Sequence, residues 1–211
     1  MKVCEIFLSI QGESTYAGLP CVFVRMTGCN LRCVYCDTGY AYEEGREMTE
    51  EEVFDQAVSY GIKTVEITGG EPLAQKAVFS LIKRFLDSGF TVLVETNGSI
   101  SISGVDRRAI LIMDVKTPGS AMSERMDAGN LKLLRPHDEL KFVISDRRDY
   151  EWTRDLVRTH RLDGICTVLL APVFGVLPAA ELSRWILDDR LCVRLNLQLH
   201  KYIYGPEERG V

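Results

Sequence analysis

Nowhere in this chain does an apolar run approach the roughly 18 residues that a membrane-crossing helix requires, and no membrane partner is expected. Positive charge is not in excess either. The chain has 25 Lys and Arg against 30 Asp and Glu, a formal net charge of −5, whereas a nucleic-acid binder needs a basic stripe. No nucleic-acid partner is therefore expected. The opening residues Met1-Lys2-Val3-Cys4-Glu5 lack the long apolar stretch of a secretory leader, which points to a cytoplasmic protein. Repeats and low-complexity tracts are missing as well. What remains is 46% hydrophobic and 26% charged over 211 residues. Those are globular values, and the length suits one sizeable domain spanning 1–211.

Short runs rich in Val, Ile, Leu and Phe alternate with helical stretches. Strands are predicted at Val3–Ile10, Cys21–Thr27, Lys63–Thr68, Thr91–Thr96, Ile110–Val115, Leu140–Ser145, Cys166–Ala171 and Cys192–Leu199. Several lack clean alternation, as strands buried on both faces of a helix-covered parallel sheet do. Helices are predicted at Glu50–Tyr60, Ala74–Ser88, Arg147–His160 and Pro178–Asp189. Thr49 with Glu52 makes a capping box for the first. Val78, Leu81, Ile82, Phe85 and Leu86 give the second an apolar face, and Gly89 ends it. Such alternation implies βαβ units and an α/β fold. A full eight-fold barrel takes about 250 residues, so an open, partial barrel is expected.

Seven cysteines is an odd number, and three of them crowd into Cys29-Asn30-Leu31-Arg32-Cys33-Val34-Tyr35-Cys36. That favours a metal site in a reducing compartment over a disulfide scaffold. A structural zinc normally takes four protein ligands, and no fourth Cys or His lies nearby. A zinc loop completed by a distant residue is the alternative. A 4Fe-4S cluster held by three cysteines keeps one iron open. An open iron can chelate the amino and carboxylate groups of S-adenosylmethionine and pass an electron into its sulfonium. Cys4, Cys21, Cys166 and Cys192 lie in or beside predicted strands and read as small hydrophobes.

The loop, with Tyr35 just before its last cysteine, resembles the signature of the radical S-adenosylmethionine (radical SAM) superfamily. Thr68-Gly69-Gly70-Glu71-Pro72 stands at a predicted strand end, where glycines allow close backbone approach. In the superfamily such a segment receives the amino group of S-adenosylmethionine; alone, it could be an ordinary turn.

Further segments narrow the resemblance: Ser9-Ile10-Gln11-Gly12-Glu13, Phe23-Val24-Arg25, Asp37-Thr38, Glu95-Thr96-Asn97-Gly98 and Gln198-Leu199-His200-Lys201-Tyr202. Together they are similar to the family of 7-carboxy-7-deazaguanine synthases, from about Val3 to Tyr204. The resemblance implies a modified, incomplete (partial) β/α barrel of the radical SAM type, with the cluster loop at about 28–38. It implies a lyase that contracts 6-carboxy-5,6,7,8-tetrahydropterin to 7-carboxy-7-deazaguanine with loss of ammonia, in queuosine and 7-deazapurine biosynthesis. The deoxyadenosyl radical would take hydrogen from C6 and return it. Mg2+, a homodimer and an electron donor such as a flavodoxin or ferredoxin are implied too.

The matching positions give a candidate site. Cys29, Cys33 and Cys36 would hold the cluster. For S-adenosylmethionine they are Tyr35, Cys36, Asp37 and Gly70, with Asp114, Val115 and Lys116, and then Ala171, Pro172, Val173 and Phe174, at strand ends. For the pterin they are Ile10, Gln11, Gly12, Glu13, Arg25, Thr68 and His200. The planar fork of Arg25 suits a substrate carboxylate. Gln11 and Glu13 offer donors and acceptors for a pterin edge, or simple loop solvation. His200 is a candidate against the substrate ring or a satisfied core histidine. Glu95 ends a strand and could equally make a structural hydrogen bond. Thr38 matches the Mg2+ ligand, though a threonine there can also close a turn.

Some positions depart from the family pattern. Ser14 stands where many relatives carry Gly, which predicts a narrower pocket rim. Asp114-Val115-Lys116 replaces Ser-Pro-Lys, and Ala171-Pro172 replaces Gln-Pro. Residues 40–48 carry no recognisable role. The rival readings are an enzyme that installs a glycyl radical on a partner protein and a non-catalytic zinc-binding module. The Gln11–Glu13 and Arg25 constellation favours a small acidic substrate over a protein.

Overall fold

The computed structural model describes residues 1–211. Nine strands form one sheet: β1 Lys2–Ile10, β2 Pro20–Met26, β3 Arg46–Glu47, β4 Thr64–Gly69, β5 Thr91–Thr96, β6 Ile110–Val115, β7 Glu139–Ile144, β8 Thr167–Pro172 and β9 Arg194–Leu195. Their order is β3-β1-β2-β4-β5-β6-β7-β8-β9. The run from β2 to β9 is parallel, whereas β1 and β3 are antiparallel additions at one edge. β3 and β9 do not pair with each other, so the sheet stays open, as the chain length led one to expect. The opening is spanned by side chains and loops. Leu199 N–H donates to Gly12 O (2.9 Å), Ser14 N–H to Asn196 Oδ1 (2.9 Å), and Gln198 Nε2 to Glu13 Oε1 (2.9 Å).

The helices are α1 Glu50–Ser59, α2 Ala77–Asp87, α3 Arg147–His160, α4 Ala179–Asp188 and α5 Leu199–Ile203. The capping box of α1 is present, with Glu52 N–H on Thr49 Oγ1 and Thr49 N–H on Glu52 Oε2. In α2, Val78, Leu81, Ile82 and Phe85 are fully buried, and Gly89 follows the helix at φ +75°, a left-handed conformation that favours glycine. The helix begins three residues later than predicted. Pro72–Ala74 forms a 3-10 turn capped by the Glu71 side chain. The Gln75 side chain then bonds Lys2 and Thr27 instead of entering the helix.

Both faces of the central strands are buried, but they differ in kind. One face packs on the helices: Val65, Ile67, Val94, Met113, Phe142 and Leu170 share a cluster of 37 buried residues with Leu81, Phe85, Tyr150 and Leu182 from the helices. Burying each such side chain contributes about 1.5–3 kcal/mol. The other face, lining the barrel, carries Arg25, Glu66, Thr68, Glu95, Asp114 and Lys141. Its apolar part comprises Phe7, Cys21 and Phe23 with Leu93, Ile112 and Leu169, which are buried outside the helix-side cluster. The missing alternation thus hides a buried polar layer inside the barrel.

The last strand is a correction. Only Arg194–Leu195 is extended, and Leu199 already opens α5. Cys192 lies outside any strand and is exposed, so it does not behave as a buried hydrophobe, while Cys21 and Cys166 do. Residues 40–48 form a 3-10 turn and β3. Ala41 O accepts from Gly28 N–H (2.8 Å), which pins the cysteine loop to the edge of the sheet.

Candidate active site

A cavity of about 300 Å³ opens at the C-terminal ends of the strands, where barrels gather their ligands. Cys29, Cys33 and Cys36 lie on its wall with Tyr35, Asp37 and Thr38. The loop that carries them is tied from beneath. Glu71 N–H donates to Gly28 O (2.7 Å), and a Cβ on Gly70 would come within 1.9 Å of the same oxygen. Gly70 is therefore required by the contact between loop and strand. Glu71 is fully buried and accepts from Leu73 N (3.0 Å), Thr96 Oγ1 (2.8 Å) and Asn97 N (2.7 Å). It staples the end of β4 to the end of β5. Asn97 Nδ2 approaches Cys29 Sγ at 3.7 Å, and the Tyr35 hydroxyl donates to Val143 O at 3.4 Å.

The donor set fits the implied groups. The three thiols are free and stand together on the cavity lining, and three thiolates can each take a different iron of a cluster. Asp114 Oδ1 is buried on the cavity wall without a hydrogen-bond partner, an acceptor left open for a ligand such as S-adenosylmethionine. Lys116 Nζ sits 2.8 Å from the other oxygen, Asp114 Oδ2. The Thr38 hydroxyl donates to Asp37 Oδ1 (3.0 Å), which leaves its oxygen lone pairs for a hard cation such as Mg2+.

The cavity is also lined by Ile10, Gln11, Gly12, Glu13 and His200, and Gln198 Nε2 bridges Glu13 to Asp37 of the cysteine loop. The His200 ring packs so closely on Gly12 that a Cβ there would meet Nδ1 at 2.2 Å. Burial pushes the His200 imidazole below its ordinary range, so it is neutral near pH 7. Arg25 is not a free cation. Its Nε holds Glu5 Oε1 at 2.7 Å, and Tyr40 OH donates to the same oxygen (2.9 Å). The two terminal nitrogens of Arg25 remain for an incoming anion. Thr68 Oγ1 donates to Glu95 Oε2 (2.9 Å), and Glu95 also accepts from Lys141.

Sequence reading missed the centre of this network. Lys141, on β7, is buried; its ammonium meets Glu13 Oε2 at 2.9 Å, Glu95 Oε1, and Asp114 Oδ2 at 3.7 Å. Burial alone would lower its basicity, yet the three carboxylates hold it well above the usual lysine value. Glu66 was missed too, although a glutamate between Val65 and Ile67 inside a strand is a readable signal. Lys201, which holds Asp37 Oδ2 at 2.6 Å, and Val211 also line the cavity.

Val173 and Phe174 reach the wall, but Val115, Ala171 and Pro172 do not. Val115 faces the helix-side core instead. Ser14 is off the wall as well, so it does not narrow the rim. It sits at φ +65°, the left-handed region that favours glycine.

The model of the Radical SAM superfamily matches residues 23–169. The 7-carboxy-7-deazaguanine synthase of Koribacter versatilis is 43% identical, with 100% of both chains covered. That of Chlorobaculum tepidum is 44% identical over 100% of this chain and 97% of its own. In structure, the chain is similar to QueE from Escherichia coli, with a TM-score of 0.77, 21% identity and 94% of each chain covered.

Proposed function

This chain belongs to the radical SAM superfamily and, within it, to the family of 7-carboxy-7-deazaguanine synthases, and from that premise we propose how its residues divide the work. The chain is a radical SAM lyase with a 4Fe-4S cluster, S-adenosylmethionine and Mg2+. It contracts 6-carboxy-5,6,7,8-tetrahydropterin to 7-carboxy-7-deazaguanine with loss of ammonia, a step of queuosine biosynthesis. The observation that carries the assignment of residues is one cavity that gathers the three thiols and a carboxylate-rich cradle.

When bound, the cluster and S-adenosylmethionine supply the radical that takes hydrogen from C6. The rest falls to side chains. Cys29, Cys33 and Cys36 hold the cluster, and Tyr35 braces their loop on β7. Asp114 and Lys116 offer paired opposite charges to a zwitterionic amino acid, with Val173 and Phe174 beside it. The terminal nitrogens of Arg25 would take the substrate carboxylate, and Thr38 would hold Mg2+, which would supply a hard cation for oxygen ligands. Glu13, held below the usual carboxylate range because Lys141 overrides burial, accepts from ring N–H groups. Neutral His200 lies against the ring. Gln11 and the backbone of Ile10 and Gly12 complete the cradle. A cytoplasmic homodimer reduced by a flavodoxin or ferredoxin belongs to the same proposal.

The test is anaerobic turnover. Reduced protein with S-adenosylmethionine, magnesium and the carboxypterin is expected to yield the deazapurine chromophore and ammonia together. Protein that cleaves S-adenosylmethionine but leaves the pterin intact would favour a radical-installing enzyme instead.

A further inference from the structure

We propose that Glu66 is a specificity-determining residue for the pterin, presenting the O–H of a neutral carboxylic acid to an acceptor atom on the pyrimidine edge of the substrate. The inference deepens the function proposed above and rests on it. Glu66 lies on β4 two residues before Thr68, hence on the same face but deeper in the barrel. It is 3% exposed and lines the cavity.

The hydrogen bonds fix which of its oxygens is free. Glu13 N–H, which can only donate, bonds Gln11 Oε1 at 2.9 Å. The Gln11 amide is thereby oriented with Nε2 toward Glu66, where it donates to Oε2. Oε2 is thus an acceptor. Oε1 bonds no group of the protein and borders the cavity.

No cation forms an ion pair with this carboxyl, although Lys141 and Arg25 lie near enough to work against burial. The titratable groups that face it are Glu13 on the loop after β1, Cys21 and Arg25 on β2, Glu95 on β5 and Lys141 on β7. The Lys141 ammonium is shared by Glu13 and Glu95, and Arg25 Nε is taken by Glu5. Three glutamates around one lysine cannot all ionise away from water at acceptable cost. Glu13 and Glu95 bond the ammonium and Glu66 does not, so the proton falls to Glu66. Burial first, and then the Glu95 charge, raise its carboxyl well above the ordinary range.

A neutral donor facing a cavity selects an acceptor. The anionic end of the carboxypterin points to Arg25 and Thr38, near the cluster loop. Its other end is the 2-amino-4-oxo-pyrimidine edge, which reaches the deeper layer where Glu66 stands. That edge runs from the O4 acceptor through two adjacent donors, N3–H and the 2-amino group, to the N1 acceptor. Ionised Glu13 takes its N–H groups, and Glu66 serves an acceptor that a carboxylate would repel.

Infrared difference spectroscopy on the cluster-loaded protein tests this directly. Wild type minus Glu66→Gln is expected to show the C=O stretch of a protonated carboxyl, and the carboxypterin is expected to shift it. Glu66→Leu is expected to weaken pterin binding about ten- to a hundredfold, with S-adenosylmethionine binding and cluster absorbance unchanged. Glu66→Gln, which keeps a neutral donor, is expected to bind the pterin more tightly than Glu66→Leu. If Glu66→Leu loses its cluster, the infrared comparison decides alone. A missing band, a band the pterin does not move although wild type turns over, or wild-type affinity in a folded Glu66→Leu overturns the assignment. Failure of wild type to bind the pterin at all overturns the functional reading, and this inference with it.

Discussion

Lys141→Met removes the one ammonium inside the barrel that touches both Glu13 and Glu95. Asp114 keeps Lys116 at 2.8 Å, so the two glutamates bear the loss. Breaking a buried ion pair by deleting one partner costs about 3–5 kcal/mol. Protonation relieves part of that cost, which makes the deficit depend on pH. In the wild type, burial alone would raise the Glu13 carboxyl, but Lys141 holds it below the ordinary value. Its stabilising contribution is therefore present above about pH 4.3 and is lost as pH falls through the depressed value. Lys141 itself is raised above the ordinary lysine value. Its contribution is complete below about pH 10.4 and is lost only as pH rises through the raised value. Between about pH 5 and 8 the wild type keeps both contributions. In Lys141→Met, burial acts on Glu13 without a compensating cation, so it binds a proton more readily and the fold weakens as pH climbs. Denaturant unfolding at equal cluster loading measures this. The deficit is expected to be about 3–5 kcal/mol at pH 8 and clearly smaller at pH 5. A deficit below about 1 kcal/mol, the range of an exposed pair, or one that does not change with pH, refutes the reasoning.

Other perturbations address the ligands. Cys29→Ala, Cys33→Ala and Cys36→Ala are each expected to abolish reductive cleavage of S-adenosylmethionine after reconstitution, whereas Cys166→Ser keeps the cluster absorbance. Full cleavage in any of the first three would remove that thiol from the site. Arg25→Ala is expected to cost about 2–5 kcal/mol in pterin binding and little in S-adenosylmethionine binding; calorimetric titration of both ligands separates the two. Thr38→Ala is expected to blunt the rise of turnover with added magnesium while the cluster spectrum stays intact. An unchanged magnesium response would place the ion on other ligands.

The cluster loop and the Thr68–Pro72 turn were legible because each is a short run of chain whose spacing and glycines carry their own physics. The capping box of α1 and the apolar face of α2 were legible for the same reason. Lys141 was not. Its partners lie 128 and 46 residues away; its place between Leu140 and Phe142, like that of Glu66 between Val65 and Ile67, marks a polar residue on a buried strand without saying what it meets. The last strand failed differently. An apolar run from Cys192 to Leu199 reads as extended, but the side chains of Asn196 and Gln198 turn toward the loop after β1 and only two residues stay in the sheet. Val115 shares a strand end with Asp114 and Lys116, yet the period of two sends it to the helix side.

The cavity brings the cluster loop and the pterin cradle into one volume, and the proposed function has hydrogen pass directly between the two ligands there. Carboxypterin deuterated at C6, turned over anaerobically with unlabelled S-adenosylmethionine, tests that claim most directly. Deuterium is expected in the recovered S-adenosylmethionine, with several turnovers for each molecule of cofactor. Deazapurine formed while the S-adenosylmethionine stays free of label, or is consumed once per turnover, would contradict it.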